Sequence, residues 1–309
     1  MTLREVGFFV RGRINRTLAG ALNRRRGAPA ITPLRLETVL APSDPMPLDL
    51  ARVFEGRSNP DRQALVARYL AGRGLPYEVH RFRSFEGEGE NYSVDVGSGD
   101  RILVLIAHHD AVPGSPGAND NAAALGILLR LLARLRAQPP SGLRVRFLFT
   151  AAEELGYLGA RAYVQDGGAR GVAGVVSLEL CGIGDSLALW DATGAQTDLV
   201  RAYRESAEDL GYRADEGYHV VGRIPVFGSD HRAFARVGVP AYGLTVIPAA
   251  EADALRRFVL TPWRGVLHQV TRRPAPFATY HTARDRCDTL QPDALERAGA
   301  LLEALVKRF

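Results

Sequence analysis

The run Arg101–Ala107 (RILVLIA) is apolar at nearly every position. A strand with one face in water alternates apolar and polar side chains. One without that alternation is covered on both faces, as in a parallel sheet between layers of helix. Similar runs follow at Leu143–Phe149 and Gly174–Leu180, and a further strand is expected over Val239–Val246. Between the first two, Leu125, Leu128, Leu129, Leu132 and Leu135 recur at helical spacing within Asn121–Gln138. Helices are also expected near Gly159–Gln165, over Thr197–Leu210 and over Gln291–Phe309. Strands alternating with helices build crossover units. The expected fold is therefore α/β, a single domain with a mostly parallel central sheet and helices on both faces.

Upstream, Pro60–Gly74 reads as a helix with Leu65, Val66, Tyr69 and Leu70 on one side. Strands are expected over Tyr77–Phe82 and Asn91–Val96, with a Gly/Glu-rich turn at Glu86–Glu90 between them. Nothing in the middle of the chain reads as a linker, and 309 residues fit one large domain.

A net charge of +5 would suit a nucleic-acid partner if it were spread over a binding face. Its distribution excludes that. Residues 1–36 hold eight arginines and one glutamate, a net +7, so residues 37–309 carry −2. Residues 1–40 are read as a basic N-terminal extension ahead of a domain over 41–309. Within it Val10, Ile14 and Leu18 stand four apart with arginines between them. That pattern fits weak contact of residues 1–26 with an anionic membrane surface; it also fits a helix packed on the domain, or an unstructured tail. Arg11, Arg13 and Arg16 interrupt the apolar core that a secretory signal needs. No run reaches the roughly 18 apolar residues of a membrane-crossing helix. The two cysteines, Cys181 and Cys287, form no metal-type pair and read as buried free thiols. A cytoplasmic location is expected on these grounds.

Four polar clusters carry the chemistry, and ligand sites in such sheets form beyond the carboxyl ends of the strands. AHHDAVPGSPGANDNAAA follows the first apolar strand. His108 and Asp110 are two apart, so in extended backbone they share a side. A histidine that binds metal through one ring nitrogen usually donates the other N–H to a carboxylate or carbonyl, a role open to Asp110. The loop Pro113–Ala118 then turns the chain back and brings Asp120 to the mouth of the next helix. FTAAEELGYLG follows the second strand. Its adjacent Glu153 and Glu154 are costly to hold together unless cations neutralise them, although a solvated first helical turn also favours acids. Glu179, near the end of GVVSLEL, has to be paired, protonated or metal-bound. TYHTARDRCDTL supplies His281 beside Tyr280, with Asp285 and Asp288 close by.

His108, Asp120, Glu154, Glu179 and His281 together make a ligand set of hard carboxylates and imidazoles without cysteine. Such a set suits zinc, with manganese or cobalt as substitutes. One carboxylate bridging two metals, with a histidine and a second carboxylate on each, gives a site that acidifies a water and stabilises an oxyanion. A free carboxylate then carries the proton to the leaving amine.

In order and spacing these segments resemble the bacterial co-catalytic (two-zinc) aminopeptidases. That family includes leucyl aminopeptidases, aminopeptidase Y and the peptidase-like domain of transferrin receptors. The resemblance runs from Phe54 to the C-terminus and rests on AHHD, SPGANDNAA, EELGYLGARAY, GSDHRAF…GVPAYGLT and YHTARDRCDTL. It implies the zinc-exopeptidase, phosphorylase/hydrolase-like form of the α/β fold, and a zinc metallopeptidase that removes N-terminal residues from peptides. It further implies two zinc ions, one on His108 and Glu179, the other on Glu154 and His281, with Asp120 bridging. Glu153 would be the general base and Asp110 would orient His108. A cis peptide would join Asp120 to Asn121. The pattern departs at Glu179, where the family usually has Asp, and mildly at NAAALG after Asp120. His109, where an aromatic is common, is read as a neighbour of the site. Tyr280 is read either as an oxyanion donor or as a packing residue. Asp230 and His231, in GSDH, are read as pocket contacts.

Other activities fit the same scaffold. A single-zinc glutaminyl cyclase typically has Ser after the metal Asp, where Asn121 stands here. A carboxypeptidase or amidohydrolase would read a substrate carboxylate with arginine, for which Arg223 and Arg232 are candidates. A non-catalytic binding protein would have lost ligands that this chain keeps. Residues 249–276, with Phe258, Leu260, Trp263, Val266 and Leu267, are long for a connection and are expected to form a lid or an oligomer contact.

Overall fold

The computed structural model describes residues 31–192, 196–225, 227–260 and 273–309. Of the N-terminal segment it describes Gly7, Val10, Gly12, Arg13, Ile14, Thr17, Gly20, Ala21 and Asn23, all helical.

The strands are β1 (Glu78–Arg83), β2 (Glu88–Gly97), β3 (Ile102–His108), β4 (Arg144–Thr150), β5 (Val172–Leu178), β6 (Ser186–Trp190), β7 (Tyr218–Val220) and β8 (Ala241–Ile247). They form one eight-stranded sheet in the order β1-β2-β4-β3-β5-β8-β6-β7. The central run β4-β3-β5-β8 is parallel. The hairpin β1-β2 joins one side antiparallel to β4, and the parallel pair β6-β7 joins the other antiparallel to β8.

β3 shows why RILVLIA carries no alternation. Leu103, Leu105 and Ala107 enter one core, while Ile102, Val104 and Ile106 enter another on the opposite face. The first core is closed by α2 (Pro47–Phe54), α3 (Asn59–Gly72), α4 (Ala123–Ala137) and α9 (Pro292–Arg308), and the second by α5 (Leu158–Gln165) and α7 (His231–Ala235). α2 crosses α4 so closely that a Cβ at Gly126 would fall 2.1 Å from the Pro47 carbonyl oxygen. α6 (Asp198–Asp209) is capped by Thr197, which accepts the Val200 N–H at 3.3 Å. α1 (Leu36–Leu40) already places Leu36 and Val39 in the main core, so the domain begins inside the stretch read as extension.

The hairpin differs from the sequence reading. Glu88 and Glu90 belong to β2, because Arg83 and Arg81 stand opposite them and form ion pairs of 2.6 and 2.8 Å across the strands. The turn shrinks to Ser84–Gly87, closed by Ser84 N–H to Gly87 O at 2.8 Å. Glu179 lies one residue past β5, at its carboxyl end. Among the described residues no helix is long and apolar enough to cross a membrane. Both cysteines are buried and free.

Candidate metal centre and active site

Three parallel strands end at one place. His108 is the last residue of β3; the turn Glu153–Leu155 follows β4; Glu179 follows β5. Asp120 arrives from the Pro113–Ala118 loop, His281 from the segment before α9. The two oxygens of Asp120 face different histidines: Oδ1 is 3.1 Å from His108 Nε2 and Oδ2 is 3.1 Å from His281 Nε2. Glu179 Oε2 lies 3.5 Å from His108 Nε2, and Glu154 Oε2 lies 3.0 Å from His281 Nε2. Two groups result, His108–Asp120–Glu179 and Asp120–Glu154–His281, each with its ligand atoms within 4.8 Å of one another.

The residues fit metal ions. His108 Nε2, His281 Nε2 and Glu154 Oε1 are buried and make no hydrogen bond with any described residue. Burial should strip both imidazoles of charge, yet Glu179, Asp110 and Asp120 raise His108 well above its ordinary pKa. Burial is likewise overridden at His281, where Glu154 and Asp120 raise the ring to about 10. The carboxylates thus create a demand for positive charge at this point, and carboxylate with imidazole is a donor set for zinc.

Asp110 meets His108 through its backbone carbonyl, one of the two partners expected of it. His108 Nδ1 lies 3.0 Å from the backbone carbonyl of Asp110 and 3.5 Å from its carboxylate. The carboxylate instead accepts the N–H of Glu153 at 3.0 Å and of Glu154 at 3.2 Å. On the Asp120 side, Asp285 accepts the N–H groups of Asn119 at 2.7 Å and Asp120 at 3.2 Å. Asn121 Nδ2 donates to Leu178 O at 2.8 Å, and the Asp120–Asn121 peptide is cis. The longer Glu at 179 is held by Ser229, whose hydroxyl donates to Oε1 in a short hydrogen bond.

Sequence reasoning did not single out Arg62. It is fully buried and donates to His109 O (2.5 Å), Phe54 O (3.1 Å), Pro116 O (3.3 Å) and Gly117 O (3.2 Å), tying the loop after His108 to the loop before Asp120. The signal was present: Arg62 stands three and four residues before Leu65 and Val66, on the apolar stripe of α3. Asp191 was also missed. It accepts His231 Nε2 (3.0 Å), two Arg232 nitrogens (2.6 and 3.0 Å) and Ile224 N–H (2.9 Å).

A cavity of about 730 Å³ opens beside the cluster, lined by Asp120, Glu153 and Glu179 and by the apolar side chains of Trp190, Ile224, Phe227, Leu255, Val259 and Phe277. Its other acidic and arginine residues, Asp215, Arg223, Asp253 and Arg256, are exposed. α8 (Ala252–Leu260) forms one wall, so residues 249–260 of the expected lid do border the site; residues 261–272, with Trp263, Val266 and Leu267, lie outside the described residues. Tyr280 lines the cavity and stacks on His281 with ring centroids 3.7 Å apart. Burial and the nearby Asp120 carboxylate raise its pKa well above normal, which keeps the phenol a donor.

Asp230 and His231 do not line the cavity, contrary to expectation. Both are fully buried behind it: Thr150 Oγ1 donates to Asp230 at 2.5 Å, and His231 meets Trp190 edge-on at 4.7 Å. Arg232 is held by Asp191 and Ile224 O, which leaves Arg223 as the cavity arginine of the pair. His109 is a neighbour, with Nε2 3.0 Å from Glu90 O; burial lowers its pKa to about 4.

Residues 91–306 match the model of the family described as Peptidase family M28. The chain belongs to that family. Among curated relatives it is 27% identical over 215 residues to aminopeptidase YwaD of Bacillus subtilis, covering 66% of this chain and 40% of that protein. Among solved structures it is similar to BSAP, a zinc aminopeptidase from Bacillus subtilis. The TM-score is 0.57 and the identity 23%, over 72% of this chain and 50% of that one. It is also similar to the glutaminyl cyclase of an Acidobacteriales bacterium, with a TM-score of 0.62 and 22% identity over 91% of this chain and 98% of that one. At these identities the structural likeness concerns the fold, a zinc-exopeptidase α/β domain. The chain spans half or less of the two aminopeptidases.

Proposed function

We propose that this chain is a two-zinc metallopeptidase that removes a large apolar residue from the N-terminus of peptides. One observation carries the reading: the two oxygens of Asp120 face different histidines, each backed by its own carboxylate. His108 and Glu179 would hold one ion, Glu154 and His281 the other, with Asp120 shared. When bound, the ions supply Lewis acidity that acidifies the attacking water and polarises the scissile carbonyl.

The chain's own groups would do the rest. Burial, reinforced by the charges of Glu179, Glu154 and Asp230, raises the Glu153 carboxyl well above the usual range, where it both accepts and returns a proton. Its position in the cavity lining supports Glu153 as the group that takes a proton from water and delivers it to the leaving amide nitrogen. Tyr280 offers a phenolic O–H at the same wall. The apolar cavity would receive the side chain of the residue to be released, and Glu179, which lines it, would face the free α-ammonium group.

The test combines metal analysis with a panel of aminoacyl, N-blocked and glutaminyl substrates. The reading predicts two ions per chain and turnover that needs a free α-amine, lost with chelator. Turnover of N-blocked substrates alone would overturn the aminopeptidase reading. Cyclisation of the glutaminyl substrate with one ion bound would favour the cyclase, whose relative matches this chain over most of both lengths.

A further inference from the structure

The family match begins at residue 91, so nothing in it accounts for the N-terminal segment. Yet that segment contacts three loops around one of the two ligand groups. Asn23 is 7% exposed and uses its whole amide. Its Nδ2 donates to the carbonyls of Pro113 and His281, each at 3.3 Å, and its Oδ1 accepts the N–H of Ala283 at 3.0 Å. The two bonds to the 281–283 stretch bracket Thr282 and so hold the chain at the carbonyl of His281, whose φ of +60° is a left-handed conformation that a non-glycine residue adopts uncommonly.

The fit on the other loops is equally close. A Cβ at Gly114 (φ +79°) would fall 2.7 Å from the Asn23 Cβ, so the metal-side loop needs glycine where Asn23 packs. Gly12, also buried, lies against the Glu154 turn: a Cβ there would be 3.1 Å from Leu155 Cα and 3.3 Å from the Glu154 carbonyl oxygen. Gly20 faces Pro113 at 3.6 Å in the same sense. Val10 and Ile14 point away into solvent. Gly12 thus faces the turn bearing Glu154, Gly20 faces the loop at Pro113, and the Asn23 amide bonds that loop and the stretch bearing His281. The hydrogen bonds of Asn23 go to Pro113, His281 and Ala283, on the His281 side of the site.

We infer that Asn23 is a positioning residue for the metal ligand His281. This rests on the two-ion reading above. Partners that orient a metal-binding histidine commonly change metal affinity about 10–100-fold when removed. The inference therefore predicts an asymmetric effect: the ion on Asp120, Glu154 and His281 weakens, while the ion on His108, Asp120 and Glu179 does not.

The experiment titrates the metal-free full-length chain with zinc against a chromophoric chelator, for wild type, Asn23→Ala, Asn23→Asp and the exposed-site control Ile14→Ser. Wild type and Ile14→Ser should bind two ions in two steps. Asn23→Ala should weaken one step about 10–100-fold and leave the other in place. Asn23→Asp, which turns a carboxylate toward two carbonyls, should weaken the same step further, and combining Asn23→Ala with His281→Ala should add no second loss. Unchanged steps in Asn23→Ala, or equal weakening of both with a matching loss of thermal stability, would overturn the inference. If Asn23→Ala does not fold, Asn23→Ser, which keeps the acceptor, carries the same prediction. A wild-type chain that binds one ion would sink the two-ion reading instead; the inference would then be judged on that ion, and fails if Asn23→Ala leaves it unmoved.

Discussion

Asp110 holds the turn of Glu153: its Oδ1 accepts the Glu153 N–H at 3.0 Å, while its backbone carbonyl lies 3.0 Å from His108 Nδ1. One residue thus holds His108, a proposed metal ligand, through its backbone and the proposed general base through its side chain. Asp110→Ala keeps the carbonyl on His108 but removes the carboxylate that accepts the Glu153 and Glu154 N–H groups, so kcat/KM and the zinc affinity that depends on Glu154 should both fall about 10–100-fold, read by steady-state kinetics and chelator competition. Wild-type values for both would show that the turn holds itself.

Glu153→Gln removes the proton acceptor and keeps the shape. Its kcat should fall about 10²–10⁴-fold with the metal content unchanged, measured by turnover beside elemental analysis. Retained turnover would assign the proton transfer to another group.

Asp230 sets a pH dependence in the metal-free protein. Burial pushes its carboxyl from 3.8 up to about 7, against the opposing pull of His108. Between those values the folded chain keeps a proton that the unfolded chain has lost. Stability contributed by this group is therefore present below about pH 4 and is lost as pH rises through about 7. Asp285, also raised to about 7 by burial and by Asp120, adds a slope of the same sign. Asp230→Asn should flatten the fall in thermal midpoint between pH 5 and pH 8 in chelator-treated protein. An unchanged slope would show that Asp230 does not titrate there.

How much of this was legible beforehand follows from what each residue does locally. The strands β3, β4 and β5 were readable because burial on both faces leaves a continuous apolar run. The five ligand-type residues were readable because each ends a strand or loop that the pattern locates. β6 and β7, of five and three residues, carry too few positions for a period to stand out. Arg62, Asp191 and Asn23 act through partners far along the chain, such as His281, 258 residues from Asn23. No local pattern encodes such a bond. Asp230 and His231 were misplaced for the converse reason: a polar motif near a site reads as lining, although a buried layer behind the wall can also be polar when Thr150 and Asp191 satisfy it.

The cavity makes a specificity prediction. Ala188 lies in its wall among Trp190, Ile224 and Leu255. Ala188→Leu narrows the space, so kcat/KM for a large apolar N-terminal residue should fall about 10–200-fold relative to N-terminal Ala. Parallel kinetics on the two substrates checks this; an unchanged ratio would place the released side chain elsewhere.

The most direct measurement is zinc stoichiometry in wild type, His108→Ala, His281→Ala and Asp120→Ala, by elemental analysis after dialysis against free zinc. Sharing of Asp120 predicts two ions in wild type, one in each histidine variant and weakened retention of both in Asp120→Ala. One ion in wild type, or two ions in Asp120→Ala bound as tightly as before, would contradict it.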